Sequence, residues 1–151
     1  MKPVLQALLI ADKVYEDKAT GKKIIAGTFN RVLLASKVEA SVREDEAGNK
    51  IAKIPGGMQL GSPSAYFSVT DCYDDCQFEL RYVDLSDNKV LLNARVGVRC
   101  KDPLATVEVT VPMPPLPTPH LGVYTLELLC KNELLGSLRI VVDELKRGEQ
   151  Q

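Results

Sequence analysis

Gln77-Phe78-Glu79-Leu80-Arg81-Tyr82-Val83 is the stretch that decides the fold. Phe78, Leu80 and Tyr82 fall on one face, and Gln77, Glu79 and Arg81 on the other. A period of two is that of a half-buried strand, since successive side chains point to opposite faces of a sheet. Asp84-Leu85-Ser86-Asp87-Asn88 supplies a turn. Alternation then resumes with Val90, Leu92, Ala94, Val96 and Val98 inward, and Lys89, Asn93, Arg95 and Arg99 outward. These two runs predict a β-hairpin.

Working forward, Asp102-Pro103 breaks the pattern, and a strand over 105–111 follows, with Ala105, Val107, Val109 and Val111 inward. Pro112 to Pro119 holds five prolines in eight residues. Proline fixes φ and lacks an N–H, so this segment is extended and carries the chain from one sheet to the other. Tyr124, Leu126, Leu128 and Cys130 line one face of the next strand, Lys131-Asn132-Glu133 turns, and Leu138, Ile140 and Val142 return. Working backward, Val4–Ala11, Ile24–Phe29, Val32–Ala35 and Tyr66–Thr70 are further strands, with a polar turn over 16–23. Residues 36–64 carry turn chemistry at 43–50 and loop chemistry at 54–63, and only 36–47 has helix-friendly residues. The expected fold is all-β: a two-sheet antiparallel sandwich, immunoglobulin-like, with eight or nine strands and little or no helix. One domain over 1–143 is expected, with a charged tail over 144–151.

Composition excludes more than it assigns. Lys and Arg total 19 against 20 Asp and Glu, and neither half of the chain is basic, which argues against a nucleic-acid partner. Aromatics are 5% and Trp is absent, so the core is aliphatic and stacking platforms for bases or sugars are not expected. The apolar run Val4–Ala11 leads straight into Asp12-Lys13 and reads as a strand, not a signal peptide. No stretch approaches the roughly eighteen apolar residues that cross a bilayer. A cytoplasmic protein without a membrane partner is therefore expected.

Four cysteines stand at 72, 76, 100 and 130. Without an export signal they are expected as four free thiols. Cys72-x-x-x-Cys76 is set in loop-like surroundings, where a redox pair or half of a metal site ranks well below plain thiols, and Cys100 and Cys130 lie where strands end and read as buried thiols. Asp71, Asp74 and Asp75 form the acidic cluster of a loop, as a calcium site would need. However, Asp84 and Asp87 lie roughly 20 Å away along the next strand, so a solvated turn is favoured. His120, the single histidine, reads as a rim residue with no partner assigned for acid–base work. Gly56-Gly57 and Gly61 lack the context of a phosphate loop. The proline run reads as a connection more than as a ligand for an aromatic groove. No catalytic, cofactor or metal residue is assigned.

Gly122-Val-Tyr124-Thr-Leu126, after the proline segment, resembles the tyrosine corner of immunoglobulin-like domains. That resemblance implies a buried ring whose hydroxyl bonds to backbone a few residues upstream. Leu126 stands where antibody domains carry a disulfide cysteine, so the likeness is one of architecture. Ala11-Asp12, Lys23-Ile-Ile-Ala-Gly27-Thr-Phe29, the proline run, Gly-x-Tyr and Leu-Gly136-Ser together resemble a group of small bacterial domains of unknown function. That second resemblance implies a fold and no activity. The functional expectation is a non-enzymatic module acting by surface recognition of a protein partner, in no assigned oligomeric state. The alternative is a small enzyme, or a metal- or calcium-binding sandwich, whose site assembles from distant loops.

Overall fold

A computed structural model of the chain describes residues 2–34, 41–44, 50–53 and 61–145, with backbone alone for 41–44 and 50–53. Its strands in chain order are β1 (Val4–Glu16), β2 (Lys23–Thr28), β3 (Arg31–Leu34), β4 (Ser41–Glu44), β5 (Lys50–Lys53) and β6 (Ser64–Thr70). They continue as β7 (Cys76–Asp84), β8 (Lys89–Val98), β9 (Val107–Pro112), β10 (Gly122–Cys130) and β11 (Glu133–Glu144). One sheet runs β2-β1-β6-β9 and the other β3-β11-β10-β7-β8. Neighbours are antiparallel except β3, which lies parallel to β11, with Arg31 opposite Val141. The order β1-β6-β9 against β11-β10-β7-β8 is the A-B-E and G-F-C-C′ arrangement of immunoglobulin sandwiches. No residue among those described is helical. The sandwich read from the sequence is the fold.

The alternations build the core as expected. Phe78, Leu80 and Tyr82 of β7 and Tyr124, Leu126 and Leu128 of β10 are all buried, facing Phe67 and Val69 of β6. The Phe67 and Phe78 rings meet across the sheets at 5.1 Å, and Tyr82 stacks on Tyr124 at 5.3 Å. The proline segment makes the predicted crossing from β9 to β10, burying Met113 and Leu116 on its way. Lys131 and Asn132 both have positive φ, 50° and 66°, the two-residue turn whose twist suits a tight hairpin.

Three expectations are corrected. Val90, read as inward, is 44% exposed, because a bulge between Tyr82 and Val83 shifts the register and sends it outward. The strand expected from Ala105 begins at Val107, since Ala105 N–H closes a turn on the Asp102 carbonyl. The first strand does not stop at Ala11 but runs to Glu16, where its polar end pairs with β2 in a ribbon. In 36–64, β4 and β5 pair antiparallel, Glu44 opposite Lys50. The turn read over 43–50 and the loop over 54–63 lie largely outside the described residues, as do residues 146–151 of the tail.

Tyr82 Oη is buried with no hydrogen-bond partner among the described residues. An unsatisfied buried hydroxyl costs about 1–3 kcal/mol. Tyr82→Phe keeps the stacked ring and removes that cost, so it should raise the unfolding free energy by about 1 kcal/mol in a denaturant melt. A loss of stability instead would mean that the hydroxyl is bonded.

Candidate thiol centre

Cys72, Cys76, Cys100 and Cys130 come from four places in the chain and meet at one pole of the sandwich. β7 begins at Cys76, and its antiparallel neighbours β8 and β10 end at Val98 and Cys130, so the end of each neighbour returns to the start of β7. Cys130 lies opposite Phe78, and Cys100 follows two residues past the end of β8. Cys72 arrives from the other sheet: Asp71, at φ 60°, turns the chain after β6 and tucks Cys72 inside at 1% exposure. Asp75 Oδ1 holds the backbone N–H of Cys100 at 3.3 Å, and the Cys76 thiol donates to the Asp74 carbonyl at 3.1 Å.

The sulfurs of Cys72, Cys76 and Cys100 all lie within 4.8 Å of one another, and Cys76 Sγ to Cys100 Sγ is 4.0 Å. Cys130 is buried beside Cys76 but stands outside that triangle. All four are free thiols, as the sequence reading expected, but Cys100, read as buried, is only partly so, because it stands two residues past the end of β8. Burial, with Cys100 and Cys76 close by, pushes the Cys72 thiol up to about 12. Burial and the proximity of Cys76 push Cys130 up to about 11. Cys100 is raised as well, first by burial. A protonated, desolvated thiol is a poor nucleophile, so burial works against a nucleophilic role for Cys72, Cys100 and Cys130. A cation placed among the sulfurs inverts that logic, because thiolates are then stabilised by its charge.

A cleft of about 450 Å³ opens beside the triangle. Cys76 and Cys130 line it, with Lys2 and Lys131 and with Asp74 and Glu133. None of these four charged groups has an ion-pair partner among the described residues.

The other expected residues lie elsewhere. Asp84 and Asp87 are at the far end of β7 from Asp71, Asp74 and Asp75, about 26 Å from the first to the last of its nine residues at roughly 3.3 Å per step. The two acidic groups share no site. Asp87 instead holds the Lys89 backbone N–H at 3.0 Å.

His120 is at that far pole too. Its Nδ1 donates to the Leu121 carbonyl at 2.7 Å, and its Nε2 donates to Asp84 Oδ2 at 2.5 Å. Ser86 Oγ bonds Asp84 Oδ1 at 2.8 Å and lies 3.3 Å from the same Nε2. A Ser-His-Asp triad needs the serine and the carboxylate on opposite ring nitrogens. Here both sit on one, and the other nitrogen is committed to a carbonyl, so the ring is placed as a clamp between Leu121 and Asp84 and not as a triad base. Gly61 has positive φ with open space around it, while Gly56 and Gly57 are outside the described residues.

The clamp has a pH signature. The Leu121 carbonyl and the Asp84 carboxylate raise His120 above its ordinary 6.5. Burial alone would raise Asp84, but hydrogen bonds from Ser86 and His120 outweigh it and hold the carboxyl below its ordinary 3.8. The raised histidine stabilises fully below pH about 6.5 and loses that effect as pH rises through its folded value. The lowered aspartate stabilises above about 4 and loses its effect as pH falls through its own. His120→Gln should therefore lose most stability against the parent between about pH 4 and 6.5, and the gap should narrow towards pH 9. A gap equal at pH 5 and pH 9 in denaturant melts would show that His120 is not charged in the fold.

Among the described residues no helix is long and apolar enough to cross a membrane. No family model and no curated protein matches the chain.

Proposed function

We propose that this domain is a non-enzymatic, soft-metal-binding sandwich in which Cys72, Cys76 and Cys100 hold a thiophilic divalent cation of the zinc class. The triangle of three sulfurs within 4.8 Å carries the reading. Thiolates about 2.3 Å from a tetrahedral metal stand about 3.8 Å from each other, so ligation needs movements of an ångström or less. Thiols in a largely buried cluster are matched to a cation that takes up the charge as protons leave to solvent. A reducing cytoplasm would keep such a site available.

Cobalt(II) reports the geometry directly. Titrated into the reduced chain, it should give intense visible bands of a tetrahedral site and thiolate-to-metal charge transfer, both displaced by zinc. Cys76→Ser should abolish them and Cys130→Ser should not. Octahedral, weak bands in the parent chain would refute the reading.

Recognition of a protein partner is a second reading. It is supported by a groove of about 410 Å³ on the outer face of the five-stranded sheet. There exposed Leu85 and Val90 sit among Arg81, Glu127 and Arg139, the apolar patch with charged rim expected of a contact surface.

A further inference from the structure

We infer that the cleft beside the thiol centre binds a small zwitterionic aminothiol, of the cysteine class, whose sulfur completes the coordination of the metal. The inference rests on the metal reading above and deepens it. Three protein thiolates leave a tetrahedral cation one open position, the arrangement of sites that accept an outside ligand. Cys130 stands outside the triangle, beside Cys76. Of the three triangle residues, Cys76 also lines the cleft.

The walls describe the ligand. A cavity of about 450 Å³ suits a small molecule. Lys2 and Lys131 offer two positive groups and Asp74 and Glu133 two negative ones, without ion-pair partners among the described residues. A simple anion would meet two carboxylates, and a simple amine two ammonium groups. A molecule carrying a carboxylate, an ammonium and a soft donor satisfies both signs while placing sulfur on a soft cation. Its thiol proton leaves to solvent as the metal–sulfur bond forms.

The test uses the cobalt-loaded full chain, kept reduced with a phosphine so that no other thiol is present. L-cysteine should increase the thiolate-to-cobalt charge transfer, with cobalt still eluting with the protein. It should half-saturate at about one-tenth the concentration that 2-mercaptoethanol requires, the difference expected of two or more partly exposed ion pairs. The double change Lys2→Ala with Lys131→Ala, and separately Asp74→Asn with Glu133→Gln, should narrow that gap while leaving cobalt binding intact. Equal affinities for the two thiols would overturn the inference. So would cysteine stripping the cobalt, or a fourth sulfur already present and removed by Cys130→Ser. In these cases the metal reading survives, whereas a chain that takes up no cobalt at all sinks both.

Discussion

Tyr124→Ala should cost about 3–5 kcal/mol of stability, the range of buried aromatic truncations. The ring is fully buried, stacked on Tyr82 and beside the His120 imidazole at 5.5 Å, so its loss leaves a cavity that rigid strands on both sides cannot close. The hydroxyl closes the corner: Oη donates to the His120 carbonyl at 2.6 Å and receives the His120 N–H at 3.3 Å. Tyr124→Phe keeps the packing and leaves both backbone groups to water at the rim, which should cost about 1 kcal/mol, and up to about 3 if the carbonyl stays dry. Denaturant melts of the two variants separate packing from the hydrogen bond. A silent Phe variant together with an Ala variant costing under about 1 kcal/mol would contradict the corner. Cobalt binding should be unaffected in Tyr124→Phe, since the thiol pole lies at the other end of β7.

Saturating zinc should stabilise the domain by about 4 kcal/mol at a free concentration a thousandfold above its dissociation constant. The gain should vanish with a chelator or with Cys76→Ser. Its pH dependence is steep and has a worked sign. The raised thiols of Cys72 and Cys100 must lose their protons before they bind, so the apparent affinity should rise steeply with pH. The metal-free chain should behave in the opposite way. Unfolded cysteines ionise near pH 8.5, while the folded Cys72 and Cys130 hold their protons to about 12 and 11. Stability of the metal-free form is therefore present below pH about 8.5 and lost as pH rises beyond it. Melts at pH 7 and pH 9.5, with and without zinc, should diverge. Parallel curves would mean that no thiol is deprotonated by the metal.

The fold was legible because half-buried strands print their geometry residue by residue. Phe78, Leu80 and Tyr82, and Tyr124, Leu126 and Leu128, are inward by alternation alone. The corner was legible at Gly122-x-Tyr124 for a similar, local reason. Val90 was misplaced because a bulge is a pairing event, not visible in the strand that it shifts. The thiol centre was missed for a topological reason. Spacing presents Cys72 and Cys76 as one local pair, and Cys100 and Cys130 as separate residues where strands end. A usable signal did exist: a cysteine opening one strand and cysteines at or just past the ends of two others share a pole when those strands are antiparallel neighbours. That β8 and β10 both flank β7 is a fact of sheet order, which periodicity does not carry.

The parallel pairing of β3 with β11 sets a timetable for synthesis. Arg31 meets Val141, 110 residues later, so β3 leaves the ribosome long before its partner exists. At about 5–20 residues per second the wait is about 6–20 s, during which Val32 and its neighbours form an unclaimed apolar strand. Exposed edges of that kind recruit other chains. A nascent-chain arrest placed before β11 should therefore leave a species prone to associate through β3, and release of the last strand should end that exposure.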